Sequence, residues 1–514
     1  MNDVPVNIVL DRATAVPLAR QIETQVERLI RERLLAPGVK LPATRELARA
    51  IGVNRGTVAL AYDELVSAGL ARARVGQGTF VAGPATNGQK APTAPVVPVR
   101  APMNWSGLLS RSARLIDGDD ERRHAQTVSR GKNGVISFAG GMPDSTLFPT
   151  DAFRRVLNRV VRDEGKALLQ YYPAGGYPPL RSYLATYLLR FGVEARPEEI
   201  LIVNGSQQGF DLIARTFIDP GDVVAMEQPT YPRAMQAFRS FGAQLLAVPW
   251  DGEGPRLDVF ERLLERHAPK MFYCQPACHN PTGLTMTADR ARQFVTMAAR
   301  HQVPIVEDGF DASLYYARRT PPSLKALDRD GLVLYIGTFS NILFPGLRLG
   351  WLVAPPPVIE RLERAKQLAD LHTSALLQAA VHRFCDGKLL DRHAARAARE
   401  YARRHALLLS ALRRRMPAGV TWTESEGGFS LLLTLPSDVD AGVLLSRALQ
   451  RGVAFAPGEA FFVDGGGERT LRLSFSSVPA SRIDEGIRRL AETIKETLRR
   501  RERRAVDRAT VPLV

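Results

Sequence analysis

Short apolar segments that alternate with helical patterns dominate the chain from Val135 onward, and this alternation restricts the possible folds most strongly. Five segments have the length and composition of buried strands. They are residues 199–203, 222–226, 270–273, 304–306 and 332–336. Apolar strands separated by helices are typical of a mostly parallel sheet covered on both faces. The sequence therefore predicts an α/β fold, in which ligands bind beyond the carboxyl ends of the strands.

The N-terminal residues follow a different pattern, which indicates short helices. Apolar residues recur at helical spacing over residues 16–35, and a second helix is expected from Thr44 to Gly52. The Asn54 side chain can cap a third helix. Because the connection after Gly52 is short, these elements predict a helix-turn-helix whose third helix can enter a major groove.

A small hairpin is expected at residues 70–82, with Gly76 at its tip. The whole segment resembles the winged helix-turn-helix of GntR-type transcription regulators. The resemblance rests on Pro17-Leu18, Pro37-Gly38-Val39-Lys40-Leu41-Pro42, Arg45-Glu46-Leu47-Ala48, Gly52-Val53-Asn54-Arg55, Thr57-Val58 and Gly76-Gln77-Gly78-Thr79-Phe80-Val81. It implies binding to a double-stranded DNA operator.

The resemblance assigns the DNA contacts to Arg45, Asn54, Arg55, Thr57 and the wing at Gly76. Arginines supply phosphate and guanine contacts, and short polar side chains reach base edges. Each arginine taken alone is equally well explained as a surface charge. The whole set at this spacing favours DNA contact.

A proline-rich segment separates the two patterns. Residues 83–104 contain five prolines among small and polar residues, which is typical of an extended, semi-rigid linker. We therefore divide the chain into a DNA-binding domain at 1–82, a linker at 83–133, a large domain at 134–504 and a tail at 505–514.

Over roughly residues 135–500 the chain resembles fold type I aminotransferases, which use pyridoxal phosphate. The matching segments include Gly140-Gly141-Met142-Pro143-Asp144, Gly205-Ser206-Gln207-Gln208, Glu227-Gln228-Pro229-Thr230-Tyr231-Pro232, Asn280-Pro281-Thr282-Gly283 and Leu471-Arg472-Leu473. Fusion of such a domain to a GntR-type module is the arrangement of MocR/GabR-type regulators. The resemblance implies a homodimer.

The resemblance also assigns residues to each part of the cofactor. Those expected around its phosphate are Ser206, Gln207, Thr338, Ser340 and Arg348. Amides at a helix N-terminus favour a phosphate, and an arginine can bind it through two nitrogens.

Four further residues are expected around the ring and the substrate. Tyr231 would stack on the ring, Asn280 would bind its 3-oxygen, and Asp308 would pair with its nitrogen. Arg472 would bind a substrate carboxylate. Arg348 or Arg472 taken singly is more often a structural ion-pair partner.

Asn341 stands where the resemblance places the lysine that forms a Schiff base with the cofactor aldehyde. An asparagine amide cannot replace that amine, because its nitrogen lone pair is delocalised into the carbonyl. Lys325 and Lys366 are the nearest lysines in sequence, and neither occupies this position. Phe310 is a second departure, since the family usually has a tyrosine there. No catalytic residue is therefore assigned, and transaminase activity is not expected.

Charge and composition limit the remaining classes of function. The net charge is +16, yet residues 1–82 hold eleven basic and eight acidic residues, so bulk charge does not locate the DNA-binding part. The chain has no long uncharged apolar run, which argues against a membrane span. Cys274, Cys278 and Cys385 indicate no disulfide framework, so a reducing cytoplasm is expected. Cys274 and Cys278 have no second ligand cluster, so no metal site is expected.

The sequence favours a cytoplasmic, dimeric transcription regulator whose large domain senses a small-molecule effector. That effector could be pyridoxal phosphate or a related amino-acid or phosphate compound, bound non-covalently, or another metabolite. The alternatives are a pyridoxal-phosphate-dependent aminotransferase with an accessory DNA-binding module, and an architectural DNA-binding protein with a vestigial large domain.

Overall fold

A computed structural model describes residues 8–12, 14, 16–32, 34–74, 77–83, 103, 105–116, 134–309, 314–316, 323–436 and 439–509. The chain divides into two compact units, Met1–Ser110 and Arg111–Val514. Most of the predicted linker, as well as Gly76 and Phe310, lies outside the described residues.

The smaller unit contains the predicted helix-turn-helix and hairpin. Its elements are α1 (Leu18–Arg31), α2 (Thr44–Ile51), α3 (Arg55–Ser67), β1 (Ala71–Arg74), β2 (Gly78–Val81) and the short α4 (Trp105–Leu108). β1 and β2 are antiparallel. These elements confirm the predicted order of three helices followed by a hairpin.

Two local signals set the turn between α2 and α3. Gly52 ends α2 in the left-handed region, at φ 67°, which glycine adopts without a Cβ penalty. The Asn54 side chain then accepts a hydrogen bond of 2.9 Å from the Gly56 amide and so caps α3. Ile22, Val26 and Leu65 are among the side chains buried in this unit's core.

The larger unit alternates strands and helices as predicted. Its helices are α5 (Arg111–Leu115), α6 (Thr150–Leu168), α7 (Pro178–Leu188), α8 (Ser206–Phe217), α9 (Pro232–Ser240), α10 (Leu257–His267), α11 (Ala288–Arg300), α12 (Leu324–Leu327), α13 (Pro356–Asp370), α14 (Ala375–Asp386), α15 (Leu389–Arg415), α16 (Ala441–Gln450) and α17 (Ala480–Ala509). Its strands are β3 (Ile136–Ser137), β4 (Ile200–Val203), β5 (Val223–Gln228), β6 (Gln244–Pro249), β7 (Met271–Cys274), β8 (Ile305–Asp308), β9 (Val333–Thr338), β10 (Gly350–Val353), β11 (Thr421–Trp422), β12 (Ser430–Thr434), β13 (Val453–Ala454), β14 (Ala456–Pro457) and β15 (Thr470–Ser474).

A seven-stranded sheet forms the centre of this unit, in the order β4-β10-β9-β8-β7-β5-β6. β10 runs antiparallel to both of its neighbours, and the other pairs are parallel. The five strands that the sequence predicts are all present, whereas β6 and β10 were not predicted. The mostly parallel α/β fold is confirmed.

The carboxyl ends of the parallel strands meet along one edge of this sheet. β4, β8 and β9 end at Val203, Asp308 and Thr338. A second, antiparallel sheet has the order β11-β12-β15-β14 and carries Arg472 on β15. Predicted ligand residues therefore come from both sheets.

Glu307 on β8 makes the stability of the larger unit depend on pH. Burial raises the pKa of its carboxyl to about 7, although Ser323 Oγ and the amides of Leu324 and Lys325 donate hydrogen bonds to it. The pKa of Glu307 is therefore higher in the folded protein than in the unfolded chain, and the protonated carboxyl favours the folded state. This contribution to stability is complete below the unfolded pKa and is lost as pH rises through about 7.

We predict that Glu307→Gln removes this pH dependence. Between pH 5 and 8, the free energy of unfolding of the original protein should fall relative to the variant by roughly 2–3 kcal/mol. Chemical denaturation at several pH values gives, for each protein, the slope of the free energy of unfolding against pH. Parallel slopes for the two proteins would contradict the prediction, whatever their absolute stabilities.

Candidate functional site

The turn between β4 and α8 has the form of an anion-binding site. Gly205 is the N-cap of α8, and its φ of 77° lies in the region that favours glycine. Ser206 and Gln207 follow as the first helical residues, and the first amides of a helix have no partner within the helix. Their dipoles point toward any anion placed at this end.

Arg348 connects this turn to the loop after β9. Its Nη2 donates a hydrogen bond of 3.1 Å to the Asn204 carbonyl oxygen. A Cβ added to Gly205 would lie 2.7 Å from the same nitrogen, so the guanidinium would have to shift to admit a larger residue. The structure thus brings Ser206, Gln207 and Arg348 to one place, although they are far apart in sequence.

Thr338 and Ser340 line the same loop. Thr338 is the last residue of β9, and its hydroxyl accepts a hydrogen bond of 3.1 Å from the Ser340 amide. The two hydroxyl groups lie 3.0 Å apart. Asn341 follows directly and is buried, with 6% of its surface exposed.

The Asp308 carboxylate lies at the end of β8 and is buried. Its Oδ2 accepts hydrogen bonds from the Tyr273 hydroxyl, at 2.9 Å, and from Gln275 Nε2, at 2.8 Å. Two donors on one oxygen stabilise the charged form of a carboxylate. Tyr273 and Gln275 therefore hold Asp308 in place as a buried carboxylate at the end of β8.

Gln275 links Asp308 to Asn280, and the sequence reasoning missed it. Its side-chain oxygen accepts a hydrogen bond of 3.0 Å from the backbone N–H of Asn280. Its own backbone N–H donates a hydrogen bond of 2.7 Å to the buried Glu227 carboxylate. Its position just after β7 was a usable signal, because Asp308 was found by the same logic at the end of β8.

Asn280 and Arg472 are in direct contact. Arg472 Nη1 donates to Asn280 Oδ1 at 3.0 Å, and Nη2 donates to the carbonyl oxygens of Ala139 and Gly140 at 2.9 and 3.1 Å. The guanidinium also lies over the Phe461 ring, 4.8 Å from its centroid. Arg472 is only 4% exposed, so it is fixed by its surroundings.

Tyr231 follows β5 and His279 follows β7, so both lie at the same edge of the sheet. Tyr231 is the half-buried N-cap of α9, and its ring packs against that of Phe210, with the ring centroids 6.3 Å apart. His279 is buried beside Asn280, stacks on Trp250 at 4.6 Å and places Nε2 3.3 Å from Glu227. A hydrogen bond to Thr282 orients the other ring nitrogen.

The two lysines nearest to Asn341 in sequence are both engaged in ion pairs. Lys325 Nζ lies 2.9 Å from Asp328, and Lys366 Nζ lies 2.7 Å from Asp370. Burial also lowers the pKa of the Lys366 ammonium.

In the smaller unit, most of the predicted DNA contacts lie on the surface. Arg45, Asn54 and Arg55 are exposed and Thr57 is half-buried, whereas the predicted wing contact at Gly76 lies outside the described residues. The sequence reasoning missed two exposed arginines on β1, Arg72 and Arg74. Arg74 lies over the Phe80 ring at 5.3 Å, which orients it on the hairpin.

The described residues offer no arrangement of three or more His, Cys, Asp or Glu side chains that could hold a metal ion. Within the same part of the chain, no helix combines the length and apolar character that a membrane crossing requires. Cys274, Cys278 and Cys385 are buried and form no disulfide in the described part of the chain.

Two protein-family profiles match the chain. Residues 18–81 match the profile of bacterial regulatory proteins of the gntR family, and residues 135–490 match that of aminotransferase class I and II. Aromatic-amino-acid aminotransferase 1 of Thermococcus litoralis is 39% identical over 71% of this chain and 89% of its own length. The probable rhizopine catabolism regulatory protein MocR of Rhizobium meliloti is 32% identical over 94% of this chain and 95% of its own.

A solved structure shows the same fold for the larger unit. It is LysN, an alpha-aminoadipate aminotransferase from Thermus thermophilus, complexed with N-(5'-phosphopyridoxyl)-L-leucine. The TM-score is 0.72 at 38% identity, over 77% of this chain and 99% of that one.

We predict that Gly205→Ala disturbs the turn more than Gly346→Ala does. The first change adds strain at a positive φ and displaces Arg348, whereas a Cβ at Gly346 meets nothing within 4 Å. The expected loss in free energy of unfolding is roughly 1–3 kcal/mol for Gly205→Ala, and close to zero for the control. Thermal or chemical unfolding measures both, and equal effects would contradict the account of the turn.

Proposed function

The chain belongs to the class I and II aminotransferase family and is a DNA-binding regulator with a GntR-family module, and we propose that its large domain is a non-covalent sensor. The ligand in this proposal is pyridoxal phosphate or a related amino-acid or phosphate compound. The observation that supports it most is the combination of the anion-binding turn between β4 and α8 with an asparagine at position 341.

The arrangement of donors and acceptors supports a pyridoxal-type ligand. Ser206, Gln207 and Arg348 offer amides and a cation at one place, as a phosphate requires. Asp308, held by two donors, suits a protonated pyridine nitrogen. We assign Thr338 and Ser340 to the phosphate, Tyr231 to the ring face, Asn280 to the 3-oxygen and Arg472 to a carboxylate. The related LysN structure holds a phosphopyridoxyl amino acid.

Asn341 separates binding from chemistry in this proposal. When bound, pyridoxal phosphate supplies an electron sink that makes a proton on an adjacent carbon acidic. Moving that proton needs a base, and an amide is neither a base nor a nucleophile at neutral pH. Placed at the position of the anchoring lysine, Asn341 leaves the ligand held by hydrogen bonds and charge alone.

A homodimer is the second part of the proposal. The larger unit exposes several large apolar side chains, and four of them lie on two segments, residues 169–171 and 368–371, which we take to mark an interaction face. These four are Leu169, Tyr171, Leu368 and Leu371. The two segments adjoin, because the rings of Tyr171 and His372 lie 6.1 Å apart. We assign this face to contact with a second copy of the chain, as the aminotransferase fold suggests.

The proposed dimer explains how a ligand could act on DNA. Two winged modules would contact two half-sites separated by a multiple of about 34–36 Å if both read one face of the duplex. A ligand shifts such an equilibrium only by its differential affinity for the two arrangements. We retain residues 1–82 as the DNA-binding domain, 83–133 as the linker, 134–504 as the sensor and 505–514 as the tail.

We predict that borohydride reduction in the presence of pyridoxal phosphate labels Asn341→Lys at residue 341 and does not label the original protein there. The lysine amine restores a nucleophile, whereas the amide has no available lone pair. Peptide mass spectrometry locates the label, and calorimetry on the original protein measures non-covalent binding. Label at another lysine of the original protein, together with turnover of an amino acid, would support the enzyme alternative.

We predict that Arg55→Ala weakens binding to a specific operator by about 1–3 kcal/mol, because Arg55 lies exposed in the first turn of α3. Operators selected by the full-length protein from a random duplex library serve as probes, and fluorescence anisotropy measures affinity. Arg31→Ala is the matched control, since Arg31 is an exposed arginine of α1 that pairs with Glu27 and is not among the predicted contacts. Equal affinities for both variants would contradict the groove assignment.

A further inference from the structure

Lys366 on α13 is fully buried, which is unusual for a lysine. Its Nζ lies 2.7 and 2.8 Å from the two carboxylate oxygens of Asp370, one turn further along the helix. It also donates a hydrogen bond of 3.2 Å to Gln208 Oε1. Burying an ammonium is costly unless it is paired and hydrogen-bonded, and both conditions hold here.

Gln208 carries this network into the anion-binding turn. Its Oε1 accepts a hydrogen bond of 2.7 Å from the Asn204 amide, and its Nε2 donates to Asp370 Oδ2 at 2.7 Å. The Asn204 side chain donates to the same carboxylate oxygen. The two residues that flank Gly205-Ser206-Gln207 are therefore both held by one ion pair on α13.

The network also reaches Arg348. The Asn204 amide is held through Gln208, and the carbonyl oxygen of the same residue accepts the hydrogen bond from Arg348 Nη2 at 3.1 Å. A displacement of Asn204 would therefore move the helix amides and the guanidinium together. Both are groups that the proposed function assigns to a phosphate.

We propose that Lys366 is a positioning residue for phosphate recognition: through Gln208 and Asn204 it holds the amides of the turn and Arg348 in the geometry that binds a phosphate monoester. This inference rests on the proposed function of the same site. Lys366 does not contact the ligand, because Asp370 and Gln208 occupy its donors. Loss of Lys366 should therefore weaken the binding of a ligand's phosphate group and leave the binding of its ring unchanged.

The alternative is an ion pair that only stabilises the fold. The Lys325–Asp328 pair provides the matched comparison, because it is also a largely buried lysine–aspartate contact, at 2.9 Å. Asp328 accepts hydrogen bonds from the backbone amides of Leu332 and Val333. It therefore lies at the start of β9, whereas Thr338 lies at the other end of this strand. Loss of the Lys325–Asp328 pair should lower stability without altering the anion-binding turn.

The test compares pyridoxamine phosphate with pyridoxamine, two probes that share a ring and lack a reactive aldehyde. Calorimetry on the full chain gives the ratio of their affinities for the original protein, Lys366→Met and Lys325→Met. We expect Lys366→Met to lower this ratio on the order of tenfold, mainly through pyridoxamine phosphate, whereas Lys325→Met leaves the ratio unchanged. Thermal unfolding without ligand shows whether each variant is folded.

Gln208→Met provides a second variant that breaks the same connection from the turn, and it should lower the ratio as Lys366→Met does. An unchanged ratio in a folded Lys366→Met or Gln208→Met protein would overturn the inference. An equal fall in Lys325→Met would overturn it as well, because the effect would then be one of general stability. If neither probe binds the original protein, the proposed function fails instead, which is a distinguishable result.

Discussion

The hydrogen bond from Arg348 to the Asn204 carbonyl oxygen is the contact on which the candidate site depends. It joins the loop after β9 to the turn before α8, two segments of the sheet edge that are remote in sequence. Gly205 leaves room for this contact, because the guanidinium would have to shift to admit a Cβ at that position.

The contacts on either side of this junction differ in kind. The anion-binding turn is built from backbone amides and a cation. Hydrogen bonds of Gln208 and Asn204 connect it to the ion pair between the buried Lys366 and the half-buried Asp370. The opposite side is built around Asp308, which Tyr273 and Gln275 hold in place. In our proposal Asn341 lies between these two well-supported regions. In that proposal, a site with binding groups at both ends and an asparagine between them suits recognition better than turnover.

The sequence predicted those parts of the molecule that depend on local patterns. Apolar runs identified β4, β5, β7, β8 and β9, and the helix signals at Gly52 and Asn54 identified the turn between α2 and α3. β10 was missed because it is a short strand that pairs antiparallel to its neighbours, which no periodicity reveals. Gln275 and Lys366 were missed as network residues because each acts through partners far away in the chain, and such contacts exist only in the folded protein.

Thermodynamic linkage offers the most direct test of whether ligand binding by the large domain is coupled to operator binding by the smaller unit. The affinity of the full-length protein for a selected operator should be measured with and without saturating pyridoxamine phosphate, together with the affinity for pyridoxamine phosphate with and without that operator. A sensor requires both affinities to change, and thermodynamic reciprocity requires them to change by the same factor. Operator affinity that stays the same while pyridoxamine phosphate occupies the large domain would contradict the account.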